Sequence, residues 1–141
     1  MILAFGGKMN ALPDPRHGIP RRIRSKNETI FEGIHDIIGV QYHSLHATIS
    51  GLSIKDAVGA ENQVYFLKEE NECSQLKPLA WDLEIDNQPA SHAVAHSVNP
   101  AAILMALAHQ EKPFFGIQFH PESICSNANA RKVVSAWWTT V

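Results

Sequence analysis

Apolar residues in this chain fall in short runs broken by proline, glycine and charged residues, and most of those runs read as strands. Ile37-Ile38-Gly39-Val40-Gln41-Tyr42-His43 is rich in β-branched and aromatic residues and predicts a strand, with Ser44-Leu45-His46 emerging at its end. Further strands are expected at Val64 to Leu67, Pro78 to Ile85, Ile103 to Ala108 and Phe114 to Phe119. The last two are separated by His109 to Pro113, a length suited to a hairpin. After Pro121 stops the final strand, Ser126 or Asn127 can cap a helix that places Val133, Val134, Trp137 and Trp138 on one face. The two tryptophans are therefore expected in the core. At the other end, Ile2 to Phe5 reads as the last turn of a helix closed by Gly6 and Gly7. From Asn10 to Pro20, three prolines and Gly18 predict a loop without regular structure that enters a strand.

Composition narrows the class. The 141 residues suit one domain with a real core. A hydrophobic content of 45%, a charged content of 18% and a net charge of -2 describe a globular chain with no global field for nucleic acid or an anionic membrane. Arg21-Arg22-Ile23-Arg24-Ser25-Lys26 is locally basic, but Glu28, Glu32 and Asp36 follow closely, so this is read as a solvated face. Two cysteines, Cys73 and Cys125, make neither a disulfide framework nor a zinc ribbon, which fits a reducing compartment. Met1 to Phe5 is too short for a signal-peptide core, and no run approaches the ~20 apolar residues of a membrane span. A cytoplasmic location is expected.

The segment Phe114-Phe115-Gly116-Ile117-Gln118-Phe119-His120-Pro121-Glu122-Ser123 holds the clearest chemistry. An imidazole with a pKa near ~6.5 exchanges protons at neutral pH, and a neighbouring carboxylate can hold its tautomer and stabilise the imidazolium. His120 and Glu122 have those roles available. His92 and His96 stand at a helical metal-ligand spacing, but no acidic third ligand accompanies them and Pro100 is near, so a loop is favoured and no metal site is assigned.

That decapeptide, together with Tyr42-His43-Ser44-Leu45, Phe5-Gly6-Gly7-Lys8 and the Pro15-x-His17-Gly18 loop, resembles the class I (triad) glutamine amidotransferases in one register along nearly the whole chain. The resemblance implies an α/β, Rossmann-like doubly wound domain of which residues 1–141 are a partial, C-terminal part lacking the N-terminal portion. It also implies a reaction in which a cysteine thiolate attacks the side-chain amide of glutamine, His120 shuttles the proton and Glu122 orients His120. Ser44 and Leu45 would then help to hold the glutamine, and His43 and His46 would shape the site. The Tyr42-His43-Ser44-Leu45 and Phe119-His120-Pro121-Glu122-Ser123 wording looks like the chorismate-using branch. Pro78-Leu79-Ala80-Trp81-Asp82 and Ala136-Trp137-Trp138 look most like the fungal-type enzymes that form 4-amino-4-deoxychorismate on the way to 4-aminobenzoate and folate; the anthranilate-forming component II is the alternative. The partner so implied is a chorismate-binding synthase domain or subunit. No cofactor is expected in this domain, Mg being expected only in that partner.

One part of the family pattern does not occur in these residues. The G-x-C-x-G-x-Q elbow that carries the nucleophile is absent, and by the family order it would lie a few residues before Met1. Cys73 lacks flanking glycines. Cys125 sits near a helix N-terminus, which lowers a thiol pKa, but it follows Glu122 on the same short segment, whereas attack needs an elbow facing His120. No nucleophile is assigned in this chain. A docking domain without glutaminase activity of its own remains the alternative to an enzyme.

Overall fold

The computed structural model describes residues 1–48, 75–83 and 102–140. Five strands, β1 (Lys8–Ser25), β2 (Ile37–Thr48), β3 (Leu76–Leu83), β4 (Ala102–His109) and β5 (Phe115–Ile117), precede one helix, α1 (Ala128–Thr140). Short 3-10 turns lie at Leu3–Phe5 and Thr29–Phe31. The strands make one sheet in the order β2-β1-β3-β4-β5, and each pair among the described residues is antiparallel. The strand expected at Val64 to Leu67, the end of the one expected at Pro78 to Ile85, and Cys73, His92 and His96 lie outside the described residues.

The apolar run of β4 is uninterrupted because both of its faces are covered. Ile103 and Met105 join a core with Ile30, Phe31, Ile37, Leu79, Phe119, Ala130 and Val133. Leu104 and Leu107 face a second cluster with Ile2, Leu76, Trp81 and Ala47, against which Phe5 and Met9 pack. The N-terminal turn thus covers one face of the sheet while α1 covers the other. Gly6 occupies the left-handed position expected of it, but the turn before it is 3-10 rather than the end of an α-helix.

Residues 10–20 are strand, not loop, because the prolines fall where a strand tolerates them: Pro20 stands opposite Val40, whose N–H and O are taken by Ser126 and His120, and the other two lie in a bulge. Ala11 pairs with Leu45 and Arg16 with His43, so Leu12, Pro13, Asp14 and Pro15 bulge out opposite Ser44 and need no ladder hydrogen bond there. A second irregularity lies between His17 and Ile19, where Gly18 takes φ 70°, a conformation that side-chain-bearing residues rarely adopt. Ser44, Leu45 and His46 accordingly lie inside β2 rather than beyond its end.

The helix face also differs from the one expected. Ala130 and Val133 are buried, with Ala136 packed beside them, whereas Trp137 is 40% and Trp138 80% exposed. Helical spacing allows either stripe, and the small residues win because they let α1 lie close to the 29–31 turn and β2. Asn127 is the cap: its Oδ1 accepts the Ala130 N–H at 2.9 Å.

β5 is shorter than expected because the chain changes partner within the run. It pairs with β4 through Phe115, Gly116 and Ile117, and the Gln118 N–H still donates to Met105 O. Two residues later the His120 N–H donates to Val40 O at 2.7 Å, forming an antiparallel bridge with β2 at the other edge of the sheet. The sheet is curled, and its two edges meet at His120.

Candidate active site

Gly39 permits this meeting. A Cβ there would stand 2.6 Å from Cδ2 of Phe119, so only a residue without a side chain lets the phenyl ring seat against β2. Phe119 is then buried, and the next residue, His120, is carried to the surface side of the seam.

Ser126 fastens the turn that follows. Its buried hydroxyl donates to His120 O at 2.6 Å and accepts the Val40 N–H at 3.0 Å, bridging the two segments that carry the seam. Asn127 adds a second tie, with its backbone N–H on Ile38 O at 3.0 Å and its side-chain amide on Asp36 O at 2.6 Å. Arg131 donates to Ser126 O at 2.6 Å from the first turns of α1. The segment between Phe119 and α1 is thereby held at several points over a span with little regular structure.

Within this frame His120 Nδ1 lies 2.8 Å from Glu122 Oε1. A carboxylate only accepts, so Nδ1 carries the proton of that bond and Nε2 is left for exchange with a reacting group. Both side chains are accessible, His120 at 41% and Glu122 at 70%. The hydrogen bond from His120 holds the Glu122 carboxyl below its ordinary value of 4.5, helped by its own backbone N–H. Tyr42 stands edge-on to the imidazole with ring centroids 5.2 Å apart, which limits ring rotation from the β2 side. Gly18 lies under that tyrosine, where a Cβ would approach its hydroxyl to 3.3 Å.

Ser44 and Leu45, the expected glutamine contacts, follow Tyr42 on the same strand and are exposed. The structure therefore brings all four expected site residues onto β2 and the segment that bridges to it. His43 points the other way and is buried, while His46 is half-buried and His17 exposed. Cys125 is exposed on the turn after Glu122, its N–H on Ser123 Oγ at 3.4 Å. Among the described residues no group of three or more His, Cys, Asp or Glu side chains converges as a metal site. No helix among them is long and apolar enough to cross a membrane.

Ser126 and Gly39 belong to this arrangement although the sequence alone does not mark them for it, whereas Tyr42 stands in the motif that does. By local pattern Ser126 reads only as a helix cap. Its actual partners are 86 residues away from it or on the preceding turn, and no local pattern signals such a contact.

Comparison with known proteins places this geometry in a family. The model for glutamine amidotransferase class-I matches residues 57–136, which include His120 and Glu122. An aminodeoxychorismate synthase of Streptomyces griseus is 29% identical over 125 residues, covering 88% of this chain and 12% of that protein. An anthranilate synthase of Azospirillum brasilense is 28% identical over 127 residues, covering 89% of the chain and 12% of its own length. The chain thus spans about an eighth of these curated relatives. Among solved structures, a GMP synthase protein of Thermoplasma acidophilum aligns with a TM-score of 0.56 at 14% identity, over 98% of this chain and 52% of the other. That likeness supports the α/β fold expected from the sequence, the curled antiparallel sheet being what the described residues contribute to it.

Proposed function

Because the chain belongs to the class-I glutamine amidotransferase family, we propose that it supplies the base, the orienting acid and part of the glutamine-binding surface of a glutaminase centre serving aminodeoxychorismate synthesis. The observation that carries this reading is the 2.8 Å contact between His120 Nδ1 and Glu122 Oε1 on an accessible edge of the sheet. In the proposed cycle a thiolate attacks the side-chain carbonyl carbon of glutamine, and protonated His120 gives its Nε2 proton to the amide nitrogen as the C–N bond breaks. Ammonia leaves and a glutamyl thioester remains. Neutral His120 then takes a proton from water, the hydroxide attacks the thioester, the C–S bond breaks, and glutamate departs with the thiolate restored. Glu122 keeps the Nδ1 proton in place and stabilises each imidazolium.

Ser44 and Leu45 are proposed to bind glutamine, in keeping with their exposure on β2 beside Tyr42. The thiolate is proposed to come from a glycine-flanked elbow outside these 141 residues, since neither Cys73 nor Cys125 stands in such a motif. The residues described here are accordingly read as a partial amidotransferase domain. Ammonia would pass to a chorismate-binding synthase partner, and any Mg would belong to that partner rather than to this chain.

The similarity to the Streptomyces aminodeoxychorismate synthase supports that product, and the nearly equal similarity to an anthranilate synthase supplies the competing one. Incubating the native protein and its synthase with chorismate and glutamine, followed by mass spectrometry, separates them. Formation of 4-amino-4-deoxychorismate without pyruvate is expected; anthranilate with pyruvate would overturn the assignment.

A further inference from the structure

Behind the exposed face of β2 runs a buried chain of polar side chains. Asp82 on β3 and Gln41 on β2 are fully buried, and His43 is 9% exposed. Gln41 Nε2 donates to Asp82 Oδ2 at 2.9 Å. His43 Nε2 lies 3.0 Å from Gln41 Oε1, and His43 Nδ1 lies 2.8 Å from the backbone oxygen of Leu45. The chain therefore begins at a buried carboxylate and ends on the backbone of the segment proposed to bind glutamine.

Its direction is dictated by donor and acceptor arithmetic. A carboxylate only accepts, so Asp82 takes the NH₂ side of Gln41 and turns the amide oxygen toward His43. Both ring nitrogens of His43 then face acceptors, the amide oxygen on one side and the Leu45 carbonyl on the other. A neutral imidazole has one N–H and can serve only one of them. The imidazolium has two and satisfies both.

We propose that Asp82 and Gln41, acting through His43, position the Ser44–Leu45 segment for glutamine, and that their hold on the Leu45 carbonyl is complete only while His43 is the imidazolium. This rests on the glutaminase reading of the site. The charged and titratable groups around His43 are Arg16 on β1, which is its cross-strand partner, Asp82 on β3 and His46 on its own strand. Burial pushes the imidazole down from 6.5, the Leu45 carbonyl raises it, Arg16 lowers it, Asp82 raises it and His46 lowers it, with a net downward result. As pH rises through that lowered value the ring loses one N–H. The amide oxygen fixed by Asp82 retains the proton on Nε2, so the Leu45 carbonyl is the group that loses its donor.

Asp82→Asn distinguishes this arrangement from simple packing. An asparagine can offer its own NH₂ to Gln41, which lets the Gln41 amide turn and donate to Nε2. A neutral His43 then carries its proton on Nδ1 and holds Leu45 at every pH.

The test has two arms on the native protein. In the first, ¹⁵N-histidine NMR follows the ring nitrogens of His43 from about pH 5 to about pH 9. Two protonated nitrogens at the acid end and a single proton on Nε2 at the alkaline end are expected, changing to a proton on Nδ1 in Asp82→Asn. A proton that stays on Nδ1 at the alkaline end of the unsubstituted protein would overturn the proposal. In the second arm, KM for glutamine, taken relative to that of Asp82→Asn at the same pH, is expected to rise roughly three- to tenfold across that transition, the effect of losing one buried hydrogen bond, with the ratio of the two kcat values little changed. A KM that ignores the transition would sink the positioning role. Absence of any glutaminase activity, with the expected NMR signature present, would instead strike the functional reading and leave the hydrogen-bond chain standing.

Discussion

A carboxylate that accepts the Nδ1–H hydrogen bond of a histidine leaves the other ring nitrogen for chemistry, and the Glu122 contact makes that division in His120. Replacing His120 with alanine in the native protein should lower glutamine-dependent synthesis by several orders of magnitude, with a smaller loss for Glu122→Ala. Synthesis from added ammonium chloride should survive both, because only ammonia generation is affected. If the ammonia-dependent rate collapsed too, His120 would be holding structure and not moving protons. The pH sign follows from the lowered carboxyl: the contribution of the pair is present above the ordinary 4.5 and disappears as pH falls through the depressed value. Carbon-detected NMR of the Glu122 carboxyl should accordingly give a midpoint below 4.5, and a midpoint at or above it would mean that the ion pair does not persist in solution.

At the scale of elements, the junction between β2 and the segment after β5 carries the candidate site. Ser126→Ala leaves the Val40 N–H without its partner, while His120 O keeps the Ser123 N–H at 3.2 Å. A loss of about 1–3 kcal/mol in denaturant unfolding is expected, whereas Trp138→Ser, at an exposed position, should stay within about 0.5 kcal/mol. Gly39→Ala should displace the Phe119 ring and lower glutaminase activity as well as stability, because His120 is the next residue along. The strands at 37–43, 78–83 and 103–108 and the hairpin after His109 are legible in the sequence because β-branched runs and their punctuation are local signals. The contact between His120 and Glu122 is legible because the two sit two residues apart. Pro13 and Pro15 of β1 mislead because a bulge, visible only with β2 beside it, removes their cost. The tryptophan stripe misleads because spacing identifies a helix but does not choose which apolar face is covered.

For the whole molecule, the decisive relationship is between its two sheet edges. β2 and β5 are the outermost strands in the order, yet the chain leaving β5 returns to Val40, and His120, the proposed base, stands at that return. Contacts between residues more than eighty positions apart are among the most expensive in chain entropy and tend to form after local pairings. Besides the Phe119 ring seated on Gly39, the join is held by one backbone bridge, one serine hydroxyl and the ties of Asn127, so it has the marks of a unit able to open while the rest of the sheet stays paired. Native-state amide exchange should then show the Val40 and His120 amides exchanging together, at a lower opening free energy than Met105 in the middle of β4. Each such excursion would take His120, the proposed base, away from its strand without unfolding the domain, so on the glutaminase reading the time spent with the join closed sets an upper bound on the fraction of molecules able to turn over glutamine at any instant.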